Sequence, residues 1–178
     1  NLFVKKKLTG RIIISIEDYI NFDNLKKLGF KKNQRKNFIF SHSIHLIDYL
    51  NIFPKGKIVK IYREKYFLKK KLYIFFFILF DSGDIGIYTC LYNSSAKWKV
   101  SIKNNSYNIN FQPLEEASVL KKNTNIFKFV PTKDDKFFKP GIYKIIKNLK
   151  YYFEKKNNNL VHMKEAVKLM KLIDKIHF

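Results

Sequence analysis

Apolar residues recur along this chain with two different periods, and the changes of period divide it into sheet and helix. From Arg11 to Tyr19 the β-branched residues Ile12, Ile13, Ile14 and Ile16 predict a strand ending at the acidic pair Glu17-Asp18. Asn21 to Asn37 is polar and basic around Gly29 and predicts a loop. Phe38 to Leu50 then reads as helix. Ile44, Ile47 and Leu50 fall on one apolar stripe, and His42, His45 and Asp48 stand three apart on the adjoining face. Ser41 is the expected N-cap, which puts an imidazole in the first turn, where the positive end of the helix dipole favours its neutral form.

Beyond the turn Pro54-Lys55-Gly56 the period falls to two. Ile58–Arg63 and Leu72–Phe80 are predicted strands, and Asp81-Ser82-Gly83-Asp84 links the second to Ile85–Tyr92 as a hairpin. Lys97–Lys103 alternates so that Trp98, Val100 and Ile102 share a face, and Asn104-Asn105 turns the chain into the strand Tyr107–Phe111. Gln112-Pro113-Leu114-Glu115-Glu116 closes this antiparallel meander, which is expected to have one half-wet face. A polar stretch from Lys121 to Lys139 follows, interrupted by the short apolar piece Ile126–Val130. After Pro140-Gly141 the residues Ile142, Ile145, Ile146, Leu149 and Phe153 return to helical spacing, and Met163, Ala166, Val167, Met170, Ile173 and Ile176 do so again. Both stripes are expected to join the core, with the methionines as gap-fillers. The fold class predicted is α+β: an open, largely antiparallel β-sheet with helices packed on one face.

Composition narrows this picture. A chain of 178 residues, 46% hydrophobic and 17% aromatic, folds as one domain spanning 1–178. The nine apolar residues from Leu72 to Phe80 are about half of the ~20 that a membrane-spanning helix needs, so they read as a buried strand. The formal charge of +22 invites a nucleic-acid partner. Only Arg11, Arg35 and Arg63 among the 36 basic residues are arginine, whereas readers of bases and phosphates favour its bidentate fork. The lysines are scattered and travel with Asn, Ile, Phe and Tyr, as A/T-rich coding would give, so the charge reads as a solvated surface. The lone Cys90 excludes a disulfide within the chain and fits a reduced, cytoplasmic setting.

Chemistry-bearing motifs are few. The chain contains no G-x-G-x-x-G, P-loop, H-E-x-x-H or G-x-S-x-G. What it offers is the histidine pair on the Phe38–Leu50 stretch, where an imidazole with an ordinary pKa near 6.5 suits proton transfer around neutral pH. The same histidines read equally as packing residues on the flank of an amphipathic helix.

Five segments in register decide how the pair is weighed. Ser43–Leu50, Phe80-Asp81-Ser82-Gly83-Asp84-Ile85-Gly86, Phe111-Gln112-Pro113-Leu114-Glu115, the helix opened by Pro140-Gly141-Ile142-Tyr143, and Glu165–Ile173 near the end together resemble the C-terminal domain of the Gfo/Idh/MocA oxidoreductases. The resemblance implies an NAD(P)-dependent dehydrogenase or reductase acting on a sugar or sugar derivative. It implies that NAD or NADP is bound mainly by an N-terminal Rossmann domain preceding Asn1, so that the isolated chain is inactive. It implies a sugar or sugar-nucleotide substrate and a homo-oligomer formed through the open sheet face, while the short apolar run and the scattered lysines predict no membrane and no nucleic-acid partner. His45 matches the family's catalytic histidine. Ser41 stands where the family often carries an aspartate, and Ser41, His42 and Arg35 are the expected substrate contacts. Asp48 matches a carboxylate that is structural. Two other classes stay open: a basic nucleic-acid or ribosome-associated binding protein, and a non-catalytic oligomerisation domain.

Overall fold

A computed structural model of the chain describes residues 8–68, 71–94, 97–124, 126–128, 137, 142–156, 160 and 162–178, side chains at 35, 36, 67, 68, 71 and 126–128 excepted. Eight strands form one sheet: β1 (Ile13–Ile20), β2 (Ile58–Leu68), β3 (Lys71–Phe80), β4 (Ile85–Tyr92), β5 (Lys99–Lys103), β6 (Tyr107–Phe111), β7 (Ala117–Lys121) and β8 (Ile126–Lys128). Their order is β2-β3-β4-β1-β5-β6-β7-β8. Among the described residues six helices accompany them: α1 (Phe22–Lys27), α2 (Lys32–His42), α3 (Ile44–Ile47), α4 (Tyr49–Ile52), α5 (Ile142–Phe153) and α6 (Met163–His177). The α+β class and the largely antiparallel sheet are as the periodicity predicts.

The strand met first in sequence sits in the middle. β1 runs parallel to β4, with Ile14 opposite Gly86, and antiparallel to β5, with Ile16 opposite Val100. Two antiparallel runs, β2-β3-β4 and β5-β6-β7-β8, therefore flank a central strand rather than forming one meander. The chain passes the end of β1 as it leaves β4, where the Asn93 backbone N–H donates to the Ile20 carbonyl at 2.7 Å. A strand paired on both edges and covered on one face reads as a dense apolar run, as Ile12–Ile16 does.

Register assigns every other residue to the helix-covered face: Ile14, Ile16, Asp18 and Ile20 on β1; Ile74, Phe76, Ile78 and Phe80 on β3; Tyr88, Cys90 and Tyr92 on β4. Leu46, Ile47 and Leu50 from α3 and α4, and Leu169, Leu172, Ile173 and Ile176 from α6, close the core over them. Gly86 lets the helices approach, since a Cβ there would lie 2.8 Å from Leu50 Cδ2. Asp84 pins the edge of this layer. Its buried carboxylate accepts the Ile12 N–H at 2.9 Å and the Lys55 N–H at 2.7 Å.

Several expectations change. The segment predicted as loop is helical over most of its length, as α1 and the first half of α2. A loop reading followed from its polarity, but α1 buries only Leu25, and a helix with one anchoring residue shows no apolar stripe. Ser41 is therefore not an N-cap; it lies in the last turn of α2, and its hydroxyl donates to the Phe38 carbonyl at 3.0 Å. β1 does not stop at Glu17-Asp18 but continues to Ile20. The sheet also extends past Glu116 into β7 and β8.

The largest correction concerns α5. None of its residues is buried, and Ile146 and Phe153 are 60% and 78% exposed. Amphipathic spacing reports that a face is suited to cover, not that the cover lies within this chain. On α6 the buried stripe is Leu169, Leu172, Ile173 and Ile176, while Met163, Val167 and Met170 face outward. The expected features at Phe129-Val130 and Pro140-Gly141 lie outside the described residues.

Candidate functional site: a histidine rim over a buried carboxylate

Asp18 is the unusual residue of the covered face. It is a carboxylate only 1% exposed, set in an isoleucine strand. Burying an unpaired charge costs several kcal/mol, about 1–3 kcal/mol even for a neutral polar group, so its partners matter. Three donors reach it: Ser43 Oγ to Oδ2 at 2.6 Å, Tyr88 OH to Oδ2 at 2.6 Å, and Trp98 Nε1 to Oδ1 at 2.9 Å. Burial pushes its pKa up from the ordinary carboxylate value, and the Ser43 and Tyr88 bonds oppose that push.

The chain of bonds continues away from Asp18. His177, on the last turn of α6, places Nε2 at 2.9 Å from Tyr88 OH and Nδ1 at 2.9 Å from Tyr92 OH. Burial, and then the Lys65 ammonium, lower its pKa to about 3, so the ring is neutral at physiological pH and carries one hydrogen. Tyr88 donates to the carboxylate and must accept from His177; Nε2 therefore bears the hydrogen, and Nδ1 accepts from Tyr92. Donors run in one direction from Tyr92 through His177 and Tyr88 to Asp18. Arg63 Nη1 and Lys65 Nζ donate to the carbonyls of Lys175 and His177 at 2.9 and 2.8 Å, so two cations cap the negative end of α6. No buried side-chain polar atom among the described residues lacks a partner.

Ser43 is where sheet and helix meet. It lies between α2 and α3, both of which end or begin around it, and its hydroxyl ties that junction to β1. Two histidines flank it. His42 is partly buried, its Nε2 3.1 Å from the Tyr19 carbonyl and 4.0 Å from Asp18 Oδ1. Its ring packs against Phe38 at 4.8 Å and Trp98 at 4.4 Å between centroids. At the end of α2, rather than in a first turn, the dipole favours its charged form, the reverse of the sequence expectation. Burial outweighs both that and the attraction of Asp18, and the His42 pKa falls below the ordinary value.

His45 is exposed on α3, its ring 6.3 Å from that of Trp98. Both histidines thus border Trp98, which forms one wall of a cleft of about 510 Å³ with Tyr19, Lys97, Gln112 and the Pro113–Glu115 turn. Asp48 is half-buried; burial raises its pKa and a bond from Asn51 opposes the rise, as suits a structural carboxylate. Ser41 is exposed with its hydroxyl turned back on its own helix. Arg35 is on α2, but its side chain lies outside the described residues. His42, His45 and Trp98 are brought together; Ser41 joins only through its helix.

Asp18, Tyr88, Trp98 and His177 were not among the candidate residues from sequence. The signal for Asp18 was present, since it continues the every-second-residue series Ile12, Ile14, Ile16 on the face that proves to be buried. His177 follows Ile176 and lies four residues after Ile173 on the α6 stripe. No cluster of three or more metal-ligating side chains occurs among the described residues, and no described helix is long and apolar enough to cross a membrane.

No family model and no curated protein matches the chain. Solved structures do. A dehydrogenase from Chromobacterium violaceum superposes with a TM-score of 0.73 at 14% identity, over 98% of this chain and 55% of that one. The UDP-N-acetylglucosamine 3-dehydrogenase GnnA from Acidithiobacillus ferrooxidans gives 0.71 at 8% identity, over 98% and 55%. A levoglucosan dehydrogenase, solved with NADH and L-sorbose, gives 0.68 at 11% identity, over 98% and 58%. The chain spans little more than half the length of each. Its eight-stranded open sheet with helices on one face has the fold of the C-terminal domain of Gfo/Idh/MocA-type dehydrogenases.

Proposed function

We propose that the chain is the substrate domain of an NAD(P)-dependent oxidoreductase that acts on a sugar or sugar derivative. The observation that carries this reading is the position of His45: an exposed imidazole 6.3 Å from the ring of Trp98, which walls the cleft, in a chain that superposes over nearly its whole length on dehydrogenases named for sugar substrates. The cleft suits a sugar chemically. Trp98 offers an aromatic face to C–H groups, and Gln112, Lys97 and Glu115 offer donors and acceptors for hydroxyls. His45 would take a proton from, or return it to, the substrate oxygen.

The chain's six glycines nowhere form a glycine-rich turn between strand and helix, so NAD or NADP belongs on a separate nucleotide-binding domain. The open sheet face suits self-association. Tyr62, Tyr66, Phe75 and Ile13 share it, and Tyr66 is 55% exposed. Exposed aromatic side chains of this kind would be covered by a second copy. The buried free thiol of Cys90 accords with a reducing, cytoplasmic compartment.

Saturation-transfer NMR on the chain with L-sorbose, levoglucosan and UDP-N-acetylglucosamine tests the reading. Transfer to at least one sugar, abolished by Trp98→Ala with the fold retained, supports it. No transfer to any of them at millimolar concentration overturns it.

A further inference from the structure

We propose that Asp18 is a positioning residue, which with the Tyr19 carbonyl fixes His42 in the tautomer protonated at Nε2 and frees Nδ1 to accept a hydroxyl hydrogen from a sugar bound against Trp98. The ligand class rests on the reading above; the tautomer does not.

The tautomer follows from the acceptors. A carbonyl oxygen can only accept, and the Tyr19 carbonyl lies 3.1 Å from Nε2, so this nitrogen carries the hydrogen. Asp18 Oδ1 lies 4.0 Å from the same atom and reinforces the choice. No described residue bonds to Nδ1, which keeps its lone pair. The ring cannot swing freely, because Phe38 and Trp98 pack against it and only 19% of the side chain is exposed.

Asp18 is itself held in place. Donors from Ser43 at the α2–α3 junction, from Tyr88 on β4 and from Trp98, next before β5, fix both carboxylate oxygens. A buried acid that orients a histidine and sets its tautomer is the arrangement by which acid–imidazole pairs present a base to a substrate. Here the acid comes from the sheet. Ser41, on the helix, offers no carboxylate, and its hydroxyl is spent on Phe38.

Burial is the main influence on the ring and lowers its proton affinity; Asp18 on β1 and the Tyr19 carbonyl raise it, and His45 on α3 lowers it. His42 is therefore neutral near pH 7, the state in which Nδ1 accepts. Trp98 links the two functions, since its indole N–H donates to Asp18 while its ring contacts His42 and walls the cleft.

Long-range ¹H–¹⁵N correlation spectra of the uniformly labelled chain report the tautomer of each histidine without any ligand. The expected result is the Nε2–H tautomer for His42 at pH 7. In Asp18→Asn the His42 titration midpoint is expected to fall by about one unit, a tenfold loss of proton affinity; Asp18→Glu restores it in part. An Nδ1–H tautomer in the unmodified chain overturns the proposal whether or not Asp18→Asn folds, and so does an unchanged His42 midpoint in a folded Asp18→Asn. L-Sorbose, levoglucosan and UDP-N-acetylglucosamine serve as probes for the second half. A shift of the His42 Nδ1 resonance with a sugar that also contacts Trp98 supports it. Sugar contact at Trp98 with Nδ1 unmoved overturns the role of His42 and leaves the sugar-domain reading standing, whereas absence of any sugar contact removes the ligand from both.

Discussion

The hydroxyl of Ser43 and the carboxylate of Asp18, 25 residues apart in sequence, meet at 2.6 Å in the interior, both residues being buried. This bond fixes the junction of α2 and α3 to the central strand, and the two candidate histidines stand on either side of that junction. The spacing of the histidines from the cleft is thus set from within the core.

Removing the hydroxyl leaves a buried carboxylate short of one donor. Ser43→Ala is expected to cost about 1–3 kcal/mol, read as a lower urea midpoint with an unchanged slope. In an Asp18→Asn background the same substitution should cost at least ~0.5 kcal/mol less, because the two sites share one interaction. Additive losses would mean that the 2.6 Å contact contributes no coupling.

Acid sensitivity follows from His177. Its folded pKa is about 3 and its unfolded value is near 6.5, so between these the unfolded chain binds the proton and stability falls as pH drops, by up to about 1.4 kcal/mol per unit. His42, also lowered, acts in the same sense. Asp18, whose folded pKa is raised, acts in the opposite sense above 3.8, because there the folded state takes up the proton first. Comparing the parent with His177→Gln separates the contributions. From pH 7 to pH 5 the parent should lose about 2 kcal/mol more than the variant in urea titrations; parallel losses would count against a neutral buried imidazole.

Strands that alternate apolar and polar residues, and helices with an apolar stripe, were legible because each repeats one local preference many times. The hairpin at Asp81–Asp84 was legible for the same reason, its turn residues being few and specific. What the sequence did not disclose were relations between distant residues. Nothing local to Ile13–Ile20 says that it pairs with β4 and β5 at once, and nothing local to Asp18 says that Ser43, Tyr88 and Trp98 will surround it. Ser41 was misplaced because the helix began nine residues earlier, at Lys32, in a stretch whose polarity hid it. α5 shows the converse limit: its spacing specifies a helix but not where the apolar face is covered.

Gly86 offers a test of how tightly the helix layer sits on the sheet. A Cβ there meets Leu50 Cδ2 at 2.8 Å and Ile78 Cβ at 3.4 Å, and Leu50 is itself buried. Gly86→Val should destabilise by about 1–3 kcal/mol through overpacking. Leu50→Ala opens space at that contact, so the double variant should be more stable than the sum of the single losses implies, by thermal or urea unfolding. Strict additivity would show that α4 shifts freely over β4.

The open face makes a separate prediction about assembly. Phe75 lies on it near one edge, on β3 between Ile74 and Phe76 of the covered face, and its register partner Glu64 is on the edge strand β2. Phe75→Lys places a charge where a second copy would press and leaves the core untouched. Sedimentation velocity is expected to show a dimer for the parent at tens of micromolar and a monomer for the variant, with the same melting temperature. A monomeric parent would assign that face to some other cover.

His45 separates chemistry from packing most cleanly, because it is exposed beside Trp98 while His42 is partly buried and bonded. If His45 moves the substrate proton, His45→Ala, tested with the chain joined to a nucleotide-binding domain, lowers turnover by about 10²–10⁴-fold. The unfolding midpoint should stay within about 0.5 kcal/mol of the parent, as for a surface substitution. Turnover is read as NAD(P)H absorbance, and loss of kcat with KM little changed would mark a group acting in the chemical step. Turnover per folded molecule retained, with stability lost, would instead make His45 a packing residue and transfer the proton to another group on the rim.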